Sequence, residues 1–148
     1  MTSAVRHRRD DSLGFLVADI SRLMRRAFER GLSGSSLTLA QARALVYVAR
    51  NEDIRQVELA ELLEVQPMTL ARLIDQLETA GFVERRLDPD DRRAYRIHPT
   101  KAAAPQLAAI ERVIVAIRAA AVHGLDRDEQ RAALAALRRM RTNLSDRS

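Results

Sequence analysis

The residues best equipped for chemistry in this chain are arginines. Lys101 is the only lysine among 25 basic residues, and the 148-residue chain carries a formal net charge of +5. A guanidinium presents a planar fork of donors that fits phosphates and guanine edges better than an ammonium does. Two runs concentrate such donors. The first is Gln66-Pro67-Met68-Thr69-Leu70-Ala71-Arg72-Leu73-Ile74-Asp75-Gln76. On a helix, Leu70, Leu73, Ile74 and Leu77 gather on one side, and Met68, Thr69, Ala71, Arg72, Asp75 and Gln76 lie opposite. In a DNA major groove Arg72 could fork onto a guanine, Gln66 or Gln76 could read an adenine, and Thr69 could touch a phosphate or a thymine methyl. The second run holds Arg85 and Arg86, then Arg92, Arg93 and Arg96, with Asp88, Asp90 and Asp91 between them. A diffuse phosphate-binding patch would not include three aspartates. The pattern points to a turn in which Asp91 pins an arginine for entry into a minor groove. The plain alternatives are an ordinary amphipathic helix and a solvated charged turn.

Other chemistries lack their residues. The chain has no cysteine, which excludes disulfides, thiol redox sensing and Cys-based zinc sites. His7, His98 and His123 stand far apart without metal-ligand spacing, and there is neither a Gly-rich phosphate loop nor a nucleophile elbow. No catalytic residue, metal or cofactor is expected, and the chain does not read as an enzyme. No stretch approaches the ~18 apolar residues of a membrane span. Residues 1–12 are polar, lack an apolar signal region and read as a flexible tail, so the expected location is cytoplasmic, nucleoid-associated where DNA is the partner.

The elements that must position these arginines follow from composition and period. Hydrophobic residues make up 47% and charged residues 30%, which suits a soluble globular chain. Five Gly, four Pro and 3% aromatics favour long helices around an aliphatic core. Leu13, Leu16, Val17, Ile20, Leu23, Met24, Ala27 and Phe28 make a helical stripe, and a Gly/Ser break follows over 31–36. Thr38 caps a second helix, with Gln41 completing a capping box. Short helices are predicted over Gln56–Leu63 and Pro67–Thr79, the latter ending at Gly81. Ala60 supplies the small residue a crossing helix needs, and Leu59, Leu63, Val65, Leu70 and Leu73 supply the inner faces of a helix-turn-helix. Glu64 stands where such a turn often has Gly. Strands are predicted from Phe82 and from Arg93 to His98, around a turn at 87–91, giving a β-hairpin directly after the second short helix. Pro99-Thr100 opens an Ala-rich helix, Gly124 breaks it, and Asp126 with Glu129 caps a last one.

The run Leu59-Ala60 through Leu77-Glu78, Gly81-Phe82-Val83, Arg85, Asp88-Pro89 and Asp91-Arg92-Arg93 resembles the MarR family of bacterial regulators. Asp75-Gln76-Leu77-Glu78, Asp91-Arg92-Arg93-Ala94, Thr100-Lys101-Ala102 and His123-Gly124 resemble its SlyA branch. The likeness spans about Leu13 to Leu144. It implies a mainly α fold with a small β-hairpin wing. A winged helix-turn-helix DNA-binding lobe would occupy 37–98, with helical dimerisation segments at 13–36 and 99–148. It implies a homodimer on a pseudopalindromic site in double-stranded DNA. The DNA contacts would come from Gln66, Met68, Thr69, Arg72, Gln76, Arg85, Arg86, Asp91, Arg92 and Arg93. Many members release DNA on binding a small aromatic acid; Arg22 and Arg25, with Tyr47, are candidates for that site, though exposed helix arginines and a core tyrosine would look the same. Pro99 departs from the family's Leu. The competing reading is a winged-helix protein–protein adaptor that binds no DNA, for which Asp75 and Glu78 on the reading face are the argument.

Overall fold

The computed structural model describes residues 11–146. Among them are six α-helices and one small three-stranded antiparallel sheet. The order is α1 (Leu13–Gly31), α2 (Leu39–Arg50), β1 (Ile54–Arg55), α3 (Gln56–Leu63), α4 (Pro67–Thr79), β2 (Val83–Leu87), β3 (Tyr95–Pro99), a 3₁₀ turn (Lys101–Ala103), α5 (Ala104–Ala121) and α6 (Arg127–Ser145). One compact unit runs to Ile114 and a second begins at Val115, so α5 crosses the boundary. His7 and the tail residues before Asp11 lie outside the described residues.

Local chemistry explains where the helices begin and end. The first-turn amides of a helix have no intrahelical acceptor. In α2 the Thr38 hydroxyl accepts from the Gln41 amide at 3.2 Å, and the Gln41 side chain accepts from the Thr38 amide at 3.0 Å. Asp126 and Glu129 make the same reciprocal pair at α6, at 2.9 Å each way. Helices α3 and α4 end in one motif. The Val65 amide donates to the Ala60 carbonyl at 3.1 Å, as the Phe82 amide does to Leu77 at 2.9 Å. Each closure needs a left-handed residue: Glu64 (φ 53°) in the first and Gly81 (φ 84°) in the second.

The sheet departs from the expected hairpin in three ways. Ile54–Arg55 adds a third strand beside β3, pairing Ile54 with Ile97 and Arg55 with Arg96. Two residues are too few to show an alternating pattern. The returning strand begins at Tyr95 instead of Arg93, because Asp88 donates to the Ala94 carbonyl and Ala94 to that of Asp91, which keeps 91–94 in the turn. Pro99 ends β3 opposite Val83, and α5 starts only at Ala104, because the Thr100 amide donates to the Phe82 carbonyl and holds the chain on the sheet.

The core of the first unit is aliphatic. Leu45 and Val48 of α2, Leu59 of α3, Leu70, Ile74 and Leu77 of α4, Val83, Ile97 and Ile110 are almost wholly buried. Each such side chain contributes about 1.5–3 kcal/mol relative to exposure. Ala60 and Ala42 are buried where larger residues would hold the helices apart. The core continues beyond position 98, through Ala103 and Ile110. Neither α1 nor α6 buries a residue fully. Leu13, Leu16, Val17, Ile20, Leu23 and Met24 leave an apolar stripe of α1 open, and Leu134, Leu137 and Leu144 do so on α6.

Candidate nucleic-acid interface

Helix α4 has two faces. Leu70, Ile74 and Leu77 are buried and Leu73 is half-buried, whereas Gln66, Met68, Thr69, Arg72 and Gln76 are exposed. Pro67 occupies the first turn, where its missing amide costs nothing. Among the described residues Arg72 has no ion-pair partner. Gln76 accepts from the Gln41 side chain at 2.9 Å, which ties the exposed face of α4 to the cap of α2 and leaves the Gln76 amide donors uncommitted.

The wing sorts its arginines by the period of two. Val83, Arg85 and Leu87 share one face of β2, and Arg85 lies opposite the buried Ile97. Arg85 is therefore turned inward, with its side chain 16% exposed. Its guanidinium meets Asp75 at 2.7 Å, Glu78 at 3.1 Å, Gln56 at 3.0 Å and the Ala71 carbonyl at 3.2 Å. The structure thus turns the Arg85 guanidinium, expected at DNA, toward Asp75, Glu78, Gln56 and Ala71 of its own chain. The alternation from Val83 was the signal that could have shown it. Arg86, one residue on, is exposed and pairs with Glu84.

The base of the wing is clamped by a carboxylate that the turn pattern of 87–91 does not single out. Asp88 is buried between Arg55 Nε at 2.8 Å and Arg96 Nε at 3.2 Å. The Asp90 amide donates to its other oxygen at 2.9 Å. That amide is the chief cause holding the Asp88 carboxyl below the ordinary aspartate value; burial opposes the shift, and Arg55 and Arg96 add to it. Arg96 also reaches Asp53 at 3.0 Å, and His98 Nε2 stands 2.8 Å from the same carboxylate. Asp53, with φ 59°, thus joins the chain before β1 to β3. His98 is a strand-locking residue here.

At the wing tip, Asp91 acts on the backbone. Its Oδ1 accepts from the Arg93 amide at 3.0 Å, so the expectation that it pins an arginine side chain is replaced by a turn-shaping role. Arg92 and Arg93 are exposed and hold no ion pair among the described residues. Arg93 borders a cleft of about 230 Å³ with Arg55, Gln56, Val57, Pro67, Ala94 and Tyr95, where the wing meets the starts of α3 and α4.

The residues proposed for an effector are not brought together in this way. Arg22 pairs with Asp19 at 2.9 Å on α1, Arg25 is exposed, and Tyr47 is half-buried against the core. None of the three lines the clefts at the wing base, beside Asp53, or between the 31–36 loop and α5. Among the described residues no group of His, Asp or Glu could hold a metal ion, and no helix is long and apolar enough to cross a membrane.

A helix-turn-helix with an exposed Arg and Gln on its second helix, braced by a sheet whose hairpin ends in unpaired arginines, defines a winged helix-turn-helix lobe. The family model described as MarR family matches residues 37–95. A solved structure of MarR is 30% identical, covering 94% of this chain and 95% of that one, with a TM-score of 0.81. The transcriptional regulator PA3341 is 36% identical over 91% of this chain and 99% of its own, with a TM-score of 0.80. The transcriptional regulator SlyA is 31% identical over 88% and 92%, at 0.73. The chain belongs to the MarR family.

Proposed function

We propose that this MarR family member is a sequence-specific DNA-binding transcriptional regulator that acts as a homodimer on a pseudopalindromic site. One observation carries the reading: among the described residues Arg72, Arg92 and Arg93 are exposed and hold no ion pair, while Arg55, Arg85 and Arg96 are paired with carboxylates inside the same lobe. Helix α4 enters the major groove, with Arg72, Gln76 and Gln66 at base edges and Met68 and Thr69 against methyls or phosphates. Arg92 and Arg93 enter the flanking minor groove, and Arg86 lies along the backbone. The open apolar stripes of α1 and α6 support the dimer, because a soluble chain rarely leaves such area uncovered. Two-fold symmetry then sets half-sites about 34–36 Å apart. We further assign the chain to a SlyA-like branch on the strength of Asp91-Arg92-Arg93-Ala94 and Thr100-Lys101-Ala102. The protein works in the cytoplasm without catalysis. Its effector, by family likeness, is a small aromatic or anionic acid, with Arg22, Arg25 and Tyr47 as its first candidates. The adaptor reading loses its argument, since Asp75 and Glu78 are both engaged by Arg85.

Selection of bound sites from random duplex DNA tests the reading, with binding followed against salt. We expect an inverted repeat, and affinity that falls steeply with salt concentration. Sedimentation should give a dimer that Ile20→Glu converts to monomer, with loss of DNA binding. Absence of any affinity at low salt would refute the DNA reading. A wild-type monomer would refute the dimer.

A further inference from the structure

Arg85 is the most heavily engaged cation in the first unit. An arginine has five N–H donors. Here Nε donates to Gln56 of α3, Nη1 to Glu78 and Nη2 to the Ala71 carbonyl, at 3.0–3.2 Å, and Nη2 forms an ion pair with Asp75 at 2.7 Å. Its own backbone amide donates to the other oxygen of Glu78 at 3.1 Å. One side chain on β2 therefore bonds α3 once and α4 at three successive positions on one flank. Those positions, 71, 75 and 78, follow the helical repeat, so any rotation of α4 about its axis breaks several bonds together. The same contacts dispose of a second problem. Asp75 and Glu78 are 64% and 44% exposed. Left unpaired, they would set two negative charges on the helix that must approach a polyanion.

We propose that Arg85 is a positioning residue of the DNA-reading head: it fixes the rotation of α4 and masks the Asp75 and Glu78 carboxylates from DNA phosphates. The proposal rests on the DNA-binding reading above. It separates Arg85 from Arg92 and Arg93, which reach outward. Lysine cannot replace it, because a point charge cannot bond two helices and two carboxylates at once.

The test uses the full-length protein with two duplexes of equal length, one carrying a site selected by the wild type and one of random sequence. Affinity is measured across a salt series. Arg85→Gln should lower affinity for the selected site by roughly 30-fold or more, as loss of a buried, hydrogen-bonded charge does. The slope of log affinity against log salt should stay at the wild-type value, because no phosphate contact is lost. Adding Asp75→Asn and Glu78→Gln to that variant should restore about tenfold by removing the unmasked charges. If Arg85→Gln does not fold, Asp75→Asn/Glu78→Gln with Arg85 intact serves instead. The freed guanidinium should then steepen the slope by about 0.9 and reduce the preference for the selected duplex. A fall of about one in the slope for Arg85→Gln would make Arg85 a phosphate contact and overturn the proposal. So would unchanged affinity, no recovery in the triple variant, or an unaltered slope and preference in the double one. A wild-type protein that binds neither duplex would sink the DNA-binding reading, and this proposal with it.

Discussion

Arg55, Arg85 and Arg96 sit at the base of the wing with side chains 37%, 16% and 22% exposed, each held by a carboxylate. Arg92 and Arg93, a few residues away at the tip, and Arg72 on α4, are exposed and hold none. The residue type is the same throughout; the carboxylates within reach decide the task. The base arginines spend their donors inside the lobe and make it stiff before any partner arrives. The tip and reading-helix arginines keep theirs for a ligand, so less ordering remains to oppose binding. Substitutions at the two sets should therefore fail differently: the outer ones in affinity at unchanged stability, Arg55 and Arg96 in stability, and Arg85 in affinity through the orientation of α4.

Among the outward arginines the largest effect on binding is expected at Arg72. Arg72→Ala should cost about 1–3 kcal/mol, roughly ten- to a hundred-fold in affinity, and relax the preference at one base pair in each half-site. Repeating the site selection with the variant reads the relaxation, and the thermal midpoint should not move. A lowered midpoint with unchanged base preference would place Arg72 among the structural arginines and break the comparison. Arg93→Ala should be milder and less selective. It should weaken selected and random duplexes alike and reduce the salt slope by about 0.9, with the dimer intact by sedimentation.

Asp88→Asn probes the opposite set. The folded carboxyl is held below its ordinary value of 3.8, so its stabilising contribution is complete above the unfolded value and is lost as pH falls through the folded one. The wild type should thus have a higher urea midpoint than the variant at neutral pH, by an amount that stays flat down to about pH 5 and shrinks toward zero below 3.8. A gap that persists at the lowest pH would mean that the Asn shape, not the lost charge, does the damage.

Much of this division could be read in the sequence, and the exceptions share a cause. Helices α3 and α4 begin and end where period and turn signals put them, and α6 begins at its cap, because those signals lie within four residues of each other. The exposed face of α4 was legible for the same reason. The Asp88 clamp was not: its partners Arg55 and Arg96 lie on separate strands, and β1 is too short to announce itself. Asp53 was hidden likewise, since its bonds to Arg96 and His98 depend on β3 folding back against β1. Arg85 was different. The alternation from Val83 marked it as inward, but the charge pattern of the whole hairpin drew it into the outward group. At Arg85, position in the strand outweighs residue type.

The smallest effect concerns a residue in neither arginine set, and it serves as their control. Helices α3 and α4 close with the same pair of backbone bonds, yet one uses Glu64 at φ 53° and the other Gly81 at φ 84°. A left-handed residue with a Cβ is strained by about 1–2 kcal/mol, while glycine loses more freedom on folding. Glu64→Gly should therefore stabilise the lobe by a net ~0.5–1 kcal/mol, seen as a raised urea midpoint at unchanged slope. Glu64 is exposed and lies outside the arginine networks, so affinity for the selected duplex should stay the same. If affinity falls as stability rises, the strained turn between the two helices is itself part of how the reading helix is presented. The stiff base would then owe its geometry to that turn as well as to its ion pairs.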